Sequence, residues 1–182
     1  IVVVLINPFV VLITGKYLAH AHFVSVGFIR LYTKISFYFN GLTDKYPGFG
    51  LQNSGDLNFD ISLNEKPKRL FAVPILGGLI RIILLIPYLL FENIISYAAG
   101  IGIFFLAWVV VLFRGKYPEG LFELNRDSGR VSASATAYML GLSDKYPSFY
   151  ISMAHNKIKL ILIAIAVVYN GWNYVGGGSS GT

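Results

Sequence analysis

The chain contains no cysteine, which excludes disulfide staples, thiolate metal sites and cysteine nucleophiles together. Charge is scarce: 13% of the 182 residues are Asp, Glu, Lys or Arg, against about 25% in ordinary soluble domains. The net charge of +6 comes from basic residues spread along the chain, and with no dense basic run the pattern suits anionic lipid headgroups better than nucleic acid. "PILGG" (74–78) is the glycine pair nearest to a phosphate loop, and it lacks both GxGxxG and GxxxxGK(S/T). The first residues, "IVVVLINPFVVLIT", include no methionine, as expected of a segment that begins within a longer protein. They also lack the charged start and small-residue cleavage site of a signal peptide.

What is present is apolar: 55% of residues are hydrophobic and the mean hydropathy is +0.62. Four stretches are apolar enough to enter a bilayer. Ile1–Thr14 falls short of the roughly 20 residues that a spanning helix needs. The run from Phe71 to Phe113 would reach about 65 Å as one helix, twice the hydrocarbon thickness. A reversal is therefore expected around "ENIISYAAG" (92–100), between helices at about 73–91 and 98–113. The fourth stretch, 158–173, is followed by Tyr174 and carries Tyr169 and Trp172 as an aromatic belt. Gly77, Gly78, Ala98, Ala99, Gly100 and Gly102 permit close helix contact, and Pro87 is expected to kink its helix.

Every basic residue except Arg81 lies in or beside the two long polar segments, and the expected hairpin tip has none. The positive-inside rule then places both polar segments in the cytoplasm and the tip outside. Residues 1–69 form one unit, 70–157 a hairpin plus a second unit, 158–175 a last span, and 176–182 a flexible tail or cloning remnant.

The division into units rests on an offset of one hundred. "GLTDKYP" (41–47) returns as "GLSDKYP" (141–147), and "VVLITGKY" (10–17) as "VVLFRGKY" (110–117), without a gap. About fifteen of some forty positions are identical where chance supplies two or three, which indicates an internal duplication. Both copies keep one direction, unlike the inverted repeats of many transporters. Val24, Phe28, Leu31, Ile35, Tyr38 and Leu42 mark one face of a helix, matched by Leu124, Ser128, Val131, Ala135, Tyr138 and Leu142. With Arg30 and Lys34, or Arg126 and Arg130, off that face as candidate headgroup contacts, each helix suits the inner leaflet surface, or packing on its twin.

The heptapeptide reads as a stop and turn at the membrane surface. Gly41 or Gly141 accepts positive φ, and Pro47 or Pro147 stops the helix. Asp44 with Lys45, or Asp144 with Lys145, gives a solvated turn, and Tyr46 or Tyr146 rests among headgroups. "LNFDISLN" (57–64) alternates as a half-buried strand does, and "SFYISM" (148–153) is its candidate partner in a small β element.

Few residues suggest chemistry. Arg81 is the one basic residue inside a span, and Glu92 is its candidate partner. Eleven residues separate the two by about 16 Å on one helix, so snorkelling of Arg81 to the headgroups is the expectation. His20 and His22 could share a metal only from a strand and only with further ligands, so no metal site is expected. Asp44 and Asp144, each with its own Lys in an exposed turn, are poor candidates for acid/base work.

Through "RLFAVPILGGLIRIILLIPYLLFE" (69–92) and "WVVVLFRGKYPEGLFELNRDSGRVSASATAYMLGLSDKYPSF" (108–149), the chain resembles a prokaryotic membrane-protein family known as domain of unknown function 4389. The resemblance covers about residues 66–150, and the first copy departs from it, with "GKYLAHAHF" where "GKYPEGLFE" is expected. It implies a polytopic inner-membrane protein without assigned activity, and it brings no catalytic residues. The whole reading is an all-α integral membrane protein of about four spans in two parallel-repeat units in the bacterial cytoplasmic membrane. Its expected role is non-catalytic and without cofactor: a scaffold or accessory subunit packing on lipid, on other membrane proteins or on itself, and not on nucleic acid. The alternative is a small transporter or channel working as a homo-oligomer.

Overall fold

A computed structural model describes residues 2–53, 61–62, 67–68, 71, 73, 75–152 and 156–176. Its helices are α1 (Val2–Thr14), α2 (Ala19–Phe39), α3 (Leu76–Ile101), α4 (Trp108–Arg114), α5 (Glu119–Met139) and α6 (Asn156–Gly176), with a π-helical segment, Gly102–Ala107, joining α3 to α4. No strand forms among the described residues. The candidate β element is thereby corrected where it is described: 148–152 is non-helical but unpaired, and most of 57–64 lies outside the described residues.

The reversal at 92–100 does not occur, because α3, the π segment and α4 form one helix of 39 residues, Leu76–Arg114. At 1.5 Å per residue it is about 58 Å long. The stretch 92–100 contains no proline to break it. Packing favours continuation, since Ile95, Ala98 and Ala99 are buried in one cluster with Leu121 and Leu124 of α5 and Leu162 and Ala166 of α6. At Gly102 a side chain would obstruct that cluster: a Cβ there would stand 2.8 Å from Leu121 and 3.0 Å from Leu162. Without a hairpin tip, the assignment of both polar segments to one side of a membrane loses its premise. Of the four expected spans, Leu76–Arg114 is the one helix among the described residues long and apolar enough to cross a membrane.

α5 runs antiparallel along α3. Arg81 lies beside residues 138–144, Tyr88 beside Val131, Ser96 beside Ser128, and Gly102 beside Leu121. The apolar stripe of α5 thus faces another helix, not a lipid surface, and Leu124, Val131, Ala135, Tyr138 and Leu142 are all buried. The small residues of "SASATA" explain the fit, since Ala133, Ala135 and Ala137 let neighbouring helices approach closely. α6 also runs antiparallel to α3, with Leu162 near Gly102 and the Tyr169 ring 5.8 Å from that of Tyr97. α1, α2 and the far side of α5 share a separate cluster built on Val11, Ala21, Val26, Ile29, Ala133 and Ala137.

Segments 10–50 and 110–150 have matching helix ends. α2 and α5 have bounds one hundred residues apart, and Gly15, Gly41, Gly115 and Gly141 all have positive φ. The N–H of Gly41 donates to Tyr38 O at 3.1 Å and that of Leu42 to Phe37 O at 2.9 Å; Gly141 to Tyr138 O and Leu142 to Ala137 O repeat both distances. Each turn then continues in the same way, with the Lys45 N–H on Thr43 Oγ1 and the Lys145 N–H on Ser143 Oγ, both at 3.2 Å.

Candidate functional site

The densest polar arrangement gathers on Arg81, one turn into α3. Burial of a guanidinium is tolerated only when its charge and donors are matched, and here they are. Nη1 donates to Tyr138 O at 2.9 Å and to Ser143 O at 3.0 Å. Nη2 pairs with Asp144 Oδ1 at 2.5 Å, the two side chains being 5% and 11% exposed. The guanidinium lies 4.6 Å from the Phe71 ring centre and 5.2 Å from that of Tyr138, close enough for both ring faces to favour the cation. Asp144 Oδ2 accepts the backbone N–H of Lys68 at 2.8 Å, which ties the segment before α3 to the same carboxylate.

The loop is shaped by its sequence. Gly141, at φ +76°, turns the chain back after α5, and a Cβ there would stand 3.7 Å from the guanidinium. The carbonyls of residues 138 and 143 consequently converge on one cation. A cavity of about 160 Å³ adjoins the ion pair, walled in part by Asn7, Val11, Tyr17, Gly78 and Gly141. Burial pushes the Tyr17 phenol up to about 12, with the Arg81 charge pulling in the opposite direction. Tyr117, at the matching position, is also raised by burial, offset in part by the hydrogen bond from Asn125 Nδ2 at 3.2 Å.

Several expected roles change. Arg81 does not reach out to headgroups, and its partner is Asp144, not Glu92, which sits half-buried on the same helix. Asp144 is no solvated turn residue, and Pro147 is buried, whereas Asp44, Lys45, Tyr46, Lys145 and Tyr146 are exposed. Arg30 and Lys34 are buried and turn to the chain that follows their own heptapeptide, Arg30 to Leu51 O at 3.5 Å and Lys34 to Gln52 O at 2.5 Å. Arg126 pairs with buried Asp127 at 3.3 Å, and Arg130 is the exposed one of the four headgroup candidates. His20 and His22 lie on helix α2 and not on a strand, so two residues turn them about 200° apart.

Two polar ties were not anticipated. Lys159 of α6, almost fully buried, pairs with Glu123 and donates to Ser152 O at 2.8 Å. Asp127 accepts the Ser152 N–H at 2.7 Å. One signal for the second was available: Asp127 stands where the first segment has Gly27, and a carboxylate on a helix with an apolar stripe needs a partner if it is buried. A further groove of about 680 Å³ lies between α2, α3 and α5, with Ser25, Thr33, Ser96, Ser128, Ser132 and Thr136 among its walls.

Together these contacts form a structural latch: Arg81 joins the start of the long helix to the end of α5, and α6 is tied to α5 by a second ion pair. Residues 77–150 match the family described as Domain of unknown function (DUF4389), which supports assigning that stretch to the family. Both members of the Arg81–Asp144 pair fall within it. No curated protein and no solved structure matches the chain.

Proposed function

We propose that this chain is a non-catalytic accessory or scaffold subunit of a bacterial cytoplasmic membrane, built by duplication of a unit spanning 10–50 and 110–150. The observation that carries the proposal is the contrast between the two sides of Leu76–Arg114. One side of α3 is latched to α5 and α6, while Ile83, Phe104, Leu112 and Phe113 along Leu76–Arg114 stand outside those contacts, each more than 60% exposed. Large exposed apolar side chains on a helix of this length suit lipid or a neighbouring helix. Arg81 is occupied in holding its own fold together, so the basic residue near the start of the helix is committed to architecture and not to a conduction path.

The groove between α2, α3 and α5, which carries serine and threonine hydroxyls in a largely apolar wall, favours a second reading, a small transporter or channel assembled from identical copies. Native mass spectrometry after extraction in mild detergent tests both. The accessory reading expects the chain together with other protein subunits. A ring of identical copies supports the transporter, and a lone monomer, or recovery in the soluble fraction, overturns the accessory role.

A further inference from the structure

Among the described residues, the latch in the second segment has a counterpart in the first with no guanidinium bound to it. On α5 the stripe through Val131, Ala135 and Tyr138 is covered by α3, and Tyr138 is 3% exposed; on α2 the matching Leu31 and Ile35 are half-buried and Tyr38 is 38% exposed. The receiving surface is nevertheless built alike at both ends. Tyr38, Tyr46 and Phe49 stack edge to face with ring centres 5.8 and 6.4 Å apart, as Tyr138, Tyr146 and Phe149 adjoin at 5.7 and 6.0 Å. In the second segment this aromatic row takes Tyr88 of α3 against Phe149 at 5.2 Å and Phe91 against Phe149 at 5.3 Å.

The wall of the cation pocket is repeated too. Tyr17 lines the cavity at Arg81 and Gly141, and Tyr117 lies beside Gly41, its ring 3.9 Å from where a Cβ would stand. The Gly41 turn keeps the same backbone hydrogen bonds as that of Gly141, so the carbonyls of residues 38 and 43 and the Asp44 carboxylate are set out for a cation in the same order. Asp44 is exposed.

We propose that the end of α2, from Tyr38 to Phe49, is a docking site for an apolar helix of a different membrane protein, one that carries an arginine with aromatic residues seven and ten positions after it. The charge follows from Asp44 and the converging carbonyls. The register follows from Arg81, Tyr88 and Phe91, which show what this surface accepts. A second copy of the chain is a poor occupant, because its own helix with that register is already held by Asp144. This inference deepens the accessory-subunit reading and rests on it.

The test uses a fluorescent synthetic peptide of residues 76–101 as probe, with a photo-crosslinker at the Tyr88 position, added to the full chain in phosphatidylcholine vesicles. Saturable binding is expected, with crosslinks to 28–49. Asp44→Asn in the protein, or Arg81→Leu in the peptide, is expected to weaken it at least about tenfold, while Asp44→Asn leaves the helical content unchanged. Binding indifferent to Asp44, or crosslinks confined to 128–149, overturns the site. Asp44-dependent self-association without peptide overturns the choice of occupant. Peptide binding reads the site whether or not natural subunits co-purify, so failure here is distinguishable from failure of the accessory role.

Discussion

GLTDKYP and GLSDKYP close the same backbone turn with the same hydrogen bonds, yet one is exposed and the other holds a buried arginine. Local sequence therefore sets the turn, and what lies across from it sets the energetics. Asp44 and Asp144 differ in no local feature of the heptapeptide except the neighbouring Thr43 or Ser143. Among the described residues, only Asp144 meets a helix bearing a guanidinium. A motif found twice need not be used twice in the same way within one chain.

The sharpest way to break this comparison is to remove each carboxylate in turn. Asp144→Ala strands the Arg81 charge and is expected to destabilise by about 3–5 kcal/mol. Asp44→Ala, at an exposed position, is expected to cost within about 0.5 kcal/mol. Replacing Arg81 and Asp144 together by leucine should recover most of the loss. Unfolding titrations in detergent measure all three, and equal costs at 44 and 144 would mean that the latch does not distinguish the two turns.

The tyrosines give a smaller contrast. Because burial raises the folded-state pKa of Tyr17 from 10 to about 12, its contribution is fully present below pH 10 and is lost as pH rises through 12, a change of roughly 2–3 kcal/mol. Ultraviolet difference absorbance of the phenolate, taken against Tyr17→Phe, locates the midpoint. Arg81→Leu is expected to move it further up, since the guanidinium pulls it down, and should leave the Tyr117 titration in place.

The smallest effect sharpens the shared part. Gly41→Ala and Gly141→Ala both force a side chain into positive φ, at about 1–2 kcal/mol each. Nearly equal losses in the same detergent titration are expected, because the strain belongs to the turn and the space beside Gly141 is ordinary contact distance.

The ends of α2 and α5 were legible in the sequence, because glycine and proline act within a few residues of themselves. So was the stripe from Leu124 to Leu142, though not what it faces. The reversal at 92–100 was inferred from length alone, and length does not make a turn when Ile95, Ala98 and Ala99 gain from staying helical. For Arg81 the sequence offers only Glu92 on its own helix, too far to pair, and so suggests snorkelling, whereas Asp144 lies 63 residues away and comes within reach only once α5 has run back along α3. Arg30 and Lys34 escaped for a related reason: basic residues off an apolar stripe look solvated until a returning chain supplies carbonyls.

The π-helical segment Gly102–Ala107 has a rotational consequence. An α-helix fixes the bearing of every side chain at about 100° per residue, so one straight rod commits its far end to whatever its near end faces. Wider turns reset that count. Buried positions recur through α3, down to Ala98 and Ala99, while none of the seven residues of α4 is buried. The offset lets Trp108–Arg114 take its own azimuth, free of the bearing that Arg81 imposes at the opposite end.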